Sequence, residues 1–166
     1  MKKINVLTIV PAKMDSKRLI GKNSLDLNGK PMFIHSVEYA NRSKHNVDVI
    51  VSSESEIVEK ICEKNKVNFL KRSVDLCGDV EVVDVYLDVI SKIEKIYDYV
   101  VCLQPDNPDR SNTFDECIEY IVENNYDDLI TVNENYKRSG SVRIFKYEHL
   151  KKGFVSKRMG CIKDSA

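Results

Sequence analysis

The chain has 166 residues, 42% hydrophobic and 31% charged, which suits one globular domain and excludes a disordered polymer. Its 26 Lys plus Arg balance its 26 Asp plus Glu, so no global field draws nucleic acid or a membrane surface. Any anion site must therefore come from a local cluster, and no apolar run approaches the roughly 20 residues needed to span a bilayer.

Met1, Lys2 and Lys3 followed by residues 4–10 outline a leader, but Asn5 and Thr8 interrupt the apolar stretch and Pro11 ends it. With no small-residue cleavage site, the segment is expected to be a buried first strand of a cytoplasmic protein. Pro31 opens a helical pattern carrying Phe33, Ile34, Val37 and Ala40. A second strand is expected at 47–51, and Ser53 is placed as the cap of a helix containing Ile57, Val58 and Ile61. A short strand at 67–70, a helix at 82–96 and a strand at 99–103 follow. Ser111 or Asn112 starts a helix reaching about Glu123, and 129–132 and 141–145 are further strands. Five scattered cysteines (Cys62, Cys77, Cys102, Cys117, Cys161) contain no Cys-x-x-Cys pair, so reduced thiols are expected rather than zinc or disulfides. The three histidines lie at no ligand or triad spacing.

This alternation implies an α/β fold with a mostly parallel sheet and helices on both faces. Ligands of such sheets sit at the carboxyl ends of strands, which directs attention to the loops after Val10, Val51, Leu70 and Leu103. The first of these is the most unusual. Lys13, Lys17, Arg18 and Lys22 fall within ten residues, opposed only by Asp15. A cation about 4 Å from a phosphate oxygen contributes roughly 4 kcal/mol at an effective dielectric near 20, so several could hold a triphosphate. The alternative is a charged connection facing water. There is no G-x-G-x-x-G and no Gly-Lys-Ser/Thr, which argues against a dinucleotide-binding dehydrogenase and a P-loop kinase.

Pro11, Ala12, Ser16, Lys17, Lys22, Asn23, Leu25, Gly29 and Pro31 fall in a register that resembles the N-terminal signature of the CMP-sialic acid synthetase (acylneuraminate cytidylyltransferase) family, relatives of the CMP-Kdo synthetases. Residues 49–57, then Arg72, Leu76 and Asp79, then residues 103–110 resemble three later family blocks in order and spacing. The resemblance covers about residues 4–132. It implies a three-layer, Rossmann-like nucleotide-diphospho-sugar transferase fold in a single domain. It also implies the joining of CTP to an acidic sugar of nonulosonic type, with release of pyrophosphate and magnesium as cofactor. By position, Lys13 and Lys22 become the catalytic candidates, and Ala12, Lys13, Ser16, Lys22, Asn23 and Arg72 would contact the nucleotide. Gln104 and Arg110 would face the sugar.

Departures accompany the matches. Lys13 stands where the family has arginine and loses a bidentate grip. Asp15 would repel a triphosphate unless a metal or a cation pairs with it. Asp106, Asn107 and Asp109 replace Thr, Ser and Leu beside the expected sugar site. Only residues 133–136 separate two late strands where the family carries a long dimerising segment, so a monomer or a different homodimer is expected. The family's Asp-x-Asp magnesium motif has no counterpart within these residues. Asp106, Asp109 and Asp164 are substitute ligands or, alternatively, solvated surface acids. A relative without catalysis, binding nucleotide or a protein partner, is the second reading. A flavodoxin-like or response-regulator-like module is the third, disfavoured by the basic first loop.

Overall fold

A computed structural model describes residues 2–15, 19–153 and 156–166 of the chain. Its first strand, β1 (Asn5–Pro11), is buried from Val6 onward. Val6 and Val10 face one apolar cluster while Leu7 and Ile9 face another, which explains an apolar run with no polar alternation. Three further elements complete the first half. They are the small hairpin β2 (Asp26–Leu27) and β3 (Lys30–Pro31), the helix α1 (Met32–Asn41) and the strand β4 (Asn46–Ser53). Next come α2 (Glu56–Asn65), β5 (Asn68–Lys71), α3 (Val82–Ser91) and β6 (Tyr99–Leu103). The chain ends with α4 (Phe114–Glu123), β7 (Asp128–Val132), β8 (Arg138–Lys146), α5 (Tyr147–Lys151) and β9 (Met159–Lys163).

The main strands form a seven-stranded sheet in the order β5-β4-β1-β6-β8-β7-β9. Strand β1 lies parallel to both β4 and β6, β4 parallel to β5, and β7 parallel to β9. Strand β8 is the exception, antiparallel to β6 and β7. The reason is local: the connection, residues 133–137, is too short for a crossover, so the chain must fold straight back. Asn133 closes that turn, its N–H donating to Lys137 O at 2.8 Å and its Oδ1 accepting from the N–H groups of Asn135 and Lys137.

Helices α1, α2 and α4 cover one face with Phe33, Val37, Val58, Ile118 and Ile121. Helices α3 and α5 cover the other with Tyr86, Val89, Ile90 and Leu150. The three-layer expectation holds, and several boundaries are corrected. Strand β4 continues through Ser53, so the cap of α2 is Ser55, whose Oγ accepts from Ile57 and Val58 N–H. Thr113, not Ser111 or Asn112, begins α4 through a reciprocal pair with Glu116. Helix α3 stops at Ser91 rather than continuing to 96. Beyond it, Lys95 Nζ and Tyr97 Oη both donate to Asp48 Oδ2, drawing the chain toward the start of β6. The hairpin β2–β3, α5 and β9 had no counterpart among the expected elements.

Two details of the antiparallel side give measurable expectations. A Cβ on Gly160 would sit 2.3 Å from the Tyr126 ring, so the bare backbone of β9 is what lets that ring lie across it. Gly160→Ala is expected to lower the free energy of unfolding by about 1–3 kcal/mol in a denaturant titration. Asp127 accepts from Lys146 Nζ at 3.0 Å and from the Lys157 and Arg158 N–H groups, binding the end of β8 to the approach to β9. The Lys146 hydrogen bond holds the Asp127 carboxyl below its ordinary value. A depressed carboxyl contributes stability above its unfolded pKa of about 3.9 and loses it as pH falls through the folded value. Asp127→Asn should therefore lower the melting temperature at neutral pH, and its gap from wild type should close as pH drops below about 4.

Candidate functional site

Three parallel strand ends converge on one hollow. The chain leaves β1 at Pro11, and the buried Ala12 donates its N–H to Ser52 O at the end of β4, at 2.9 Å. Lys13 then turns into the hollow, its Nζ donating to Gly78 O at 2.6 Å and pairing with Asp15 at 3.3 Å. The repulsion expected from Asp15 is thus met by a cation from its own loop. Met14 N–H donates to Glu54 Oε1, and Gly21, at φ 71°, donates back to Met14 O to close the loop. Ser16, Lys17 and Arg18 lie outside the described residues.

Asn23 is 2% exposed, and its Nδ2 donates to Lys13 O at 2.6 Å. Its Oδ1 is buried with no hydrogen-bond partner among the described residues, on a side chain that lines the cavity. Lys22 meets Asp106 Oδ2 at 2.6 Å. Arg72, beyond β5, is 5% exposed; its Nη2 donates to Ser52 O at 3.1 Å and its Nη1 lies 3.8 Å from Glu54 Oε2. With Gln104 beyond β6, these side chains line a cavity of about 430 Å³, floored by Val82 and Val85 of α3. Lys13, Lys22, Asn23, Arg72 and Gln104 are thereby brought together.

Arg110 stands apart. Its guanidinium donates to Gln104 O at 2.7 Å, to Ser141 O at 3.0 Å and to Ser36 Oγ at 3.2 Å, and lies over the Tyr39 ring. Those bonds hold the backbone under Gln104, and the side chain lines a separate hollow beside Tyr39. Asp164 is corrected outright from a solvated acid. It is 2% exposed and accepts from the N–H groups of Ser111, Asn112 and Ala166 and from Asn112 Nδ2. Glu54 and Gly78, which anchor Met14, Arg72 and Lys13, were missed as supports of the site. Glu54 lay within the matched 49–57 block, but its pairing with a loop forty residues away leaves no sequence signal.

The described residues do not fit a protein-held magnesium. None of their His, Cys, Asp or Glu side chains gather in threes that could hold a metal. Asp106 is paired with Lys22, Asp164 is saturated and Asp109 is exposed. Burial pushes the Cys62 and Cys117 thiols up to about 11 and about 12, so neither is a thiolate nucleophile near neutral pH. Among the described residues no helix is long and apolar enough to cross a membrane.

A mixed α/β sheet with a cationic hollow at its parallel strand ends has its crevice where open α/β sheets receive their ligands. Residues 7–155 match the family model described as Cytidylyltransferase, and the chain belongs to that family. It is 31% identical over 138 residues to an N-acylneuraminate cytidylyltransferase of Streptococcus agalactiae, covering 81% of this chain and 33% of the relative. It is 32% identical over 126 residues to a CMP-N,N'-diacetyllegionaminic acid synthase of Legionella pneumophila, covering 72% and 53% respectively. The chain spans about a third to a half of the length of these curated relatives. Among solved structures, a CMP:2-keto-3-deoxy-manno-octonic acid synthetase complexed with CTP superimposes with a TM-score of 0.75. Its identity is 15%, over 96% of this chain and 90% of the other, a likeness of fold. A cytidylyltransferase of Leptospira borgpetersenii gives 0.69 at 25% identity, over 90% and 63%.

The role of Asp164 can be checked directly. Asp164→Ala removes the acceptor of the Ser111 and Asn112 N–H groups in the turn before α4, and should cost about 1–3 kcal/mol of stability by denaturant titration. It should leave nucleotide affinity unchanged, because the residue does not line the cavity.

Proposed function

We propose that this cavity binds CTP and that the chain transfers its cytidylyl group to an acidic sugar of nonulosonic type, releasing pyrophosphate. The observation that carries the reading is the convergence of Lys13, Lys22, Asn23, Arg72 and Gln104, from three strand ends, on one 430 Å³ hollow. That volume falls within the ordinary range for a small-molecule site. Family membership supplies the nucleotide, and the relatives' names supply the sugar class.

In this reading the two lysines face the phosphate oxygens. The vacant Asn23 Oδ1 accepts a ribose hydroxyl or a base N–H, and Arg72 borders the base. The acceptor's anomeric oxygen attacks the α-phosphorus beside Gln104. A bond forms from that oxygen to phosphorus as its hydroxyl proton passes to water, and the bond from phosphorus to the oxygen bridging to the β-phosphorus breaks. Pyrophosphate departs with the electron pair, its growing charge offset by Lys13 and Lys22.

Incubation with CTP, magnesium ions and a panel of acidic nonulosonic sugars should release pyrophosphate in step with CMP-sugar. Lys22→Ala should weaken CTP binding at least about tenfold by calorimetry, the loss of one charge-assisted contact; unchanged affinity would remove the loop from the site. CTP binding without turnover on any sugar would assign the chain to a nucleotide-binding, non-catalytic role.

A further inference from the structure

Each described cation lining the cavity has a carboxylate partner: Lys13 with Asp15, Lys22 with Asp106 and Arg72 with Glu54. The three pairs differ in how easily they can be exchanged. Arg72 has a side chain only 3% exposed and is also bonded to the Ser52 carbonyl, so it cannot turn away. Lys13 keeps Gly78 O as a second partner whatever Asp15 does. Lys22 and Asp106 alone both line the cavity, with side chains 36% and 35% exposed; Asp106 also feels the charge of the buried Arg110, but its one ion-pair contact among the described residues is Lys22.

At 2.6 Å from Lys22 Nζ, Asp106 Oδ2 occupies the place a phosphate oxygen would take. We propose that Asp106 is a resident counter-ion of Lys22 that the phosphate tail of the nucleotide displaces, and so sets the affinity of the cavity for that tail. The inference rests on the CTP reading above and deepens it. A triphosphate brings several negative charges against one, so the exchange runs in its favour. Asp106, already a third exposed, swings into water at little desolvation cost. Its charge then tunes the site without itself touching nucleotide.

Calorimetric titration of wild type, Asp106→Asn and Asp109→Asn with CTP, inorganic tripolyphosphate and cytidine tests this. Asp109→Asn makes the same charge change at an exposed position outside the cavity lining. Asp106→Asn should bind CTP and tripolyphosphate about three- to fivefold more tightly, the range of an exposed ion pair. Its affinity for cytidine should not move, and Asp109→Asn should match wild type throughout. Unchanged or weaker binding by Asp106→Asn overturns the proposal, and so does equal tightening by both variants, which reports only the general field. If wild type binds tripolyphosphate and not CTP, the nucleotide reading fails while the exchange is still measured.

Discussion

One backbone carbonyl, that of Ser52 at the end of β4, ties the site together. It accepts Ala12 N–H from the loop after β1 and Arg72 Nη2 from the loop after β5. Two residues further on, Glu54 repeats the link with charge: one carboxylate oxygen accepts Met14 N–H and the other faces Arg72. The edge of the cavity is therefore a continuation of the parallel ladder, in which β1, β4 and β5 end at one level. Were β4 to slip in register, the Ala12 and Arg72 bonds would be lost together.

Burying Arg72 sets a condition that the rest of the pocket meets. An arginine 5% exposed needs its charge and donors answered. Ser52 accepts from Nη2 through its carbonyl and from Nε through its Oγ, and the Glu54 carboxylate 3.8 Å away balances the charge. The result is a fixed positive wall whose orientation is decided before any ligand arrives. Asn23 supplies the complementary device, a buried acceptor left open while its amide nitrogen is fixed to Lys13 O. Leaving a buried acceptor without a partner among the described residues costs stability, and in the proposed CTP reading a ligand donor offsets that cost.

Much of this was legible in the chain before any coordinates. The apolar run in β1 cannot be solvated on either face, and the cations after it stand where parallel sheets bind ligands. Both conclusions follow from local sequence; the structure bears out the first, and of the four cations it places Lys13 and Lys22 at the cavity while Lys17 and Arg18 lie outside the described residues. What failed to show were outcomes of distant pairing. Arg110 falls in a block that matches the family, yet nothing in the chain reveals that its guanidinium turns back to carbonyls at 104 and 141. Asp164 looks like an isolated acid near a chain end. It is buried because β9 returns beside β7 and carries it to the turn at Ser111 and Asn112. The end of α3 is a similar case, since helical spacing continues through Ile93 and Ile96 while Asp48, on another strand, draws the chain off course.

A chain with no net charge can still build an anion site, because the sheet separates where opposite charges are spent. On the antiparallel side, Asp127 and Asp128 are committed to Lys146 and Arg143, contacts that hold β7 and β8 in register. On the parallel side, the cations stand at strand ends with carboxylates drawn from neighbouring loops. Global neutrality thus says nothing about the local field. What matters is whether a cation's partner is fixed by burial, as Glu54 is against Arg72, or held at a wet rim, as Asp106 is against Lys22. Fixed pairs shape the cavity and wet pairs can be traded for a ligand, so exposure, more than charge count, decides which residues of this site respond to what enters it.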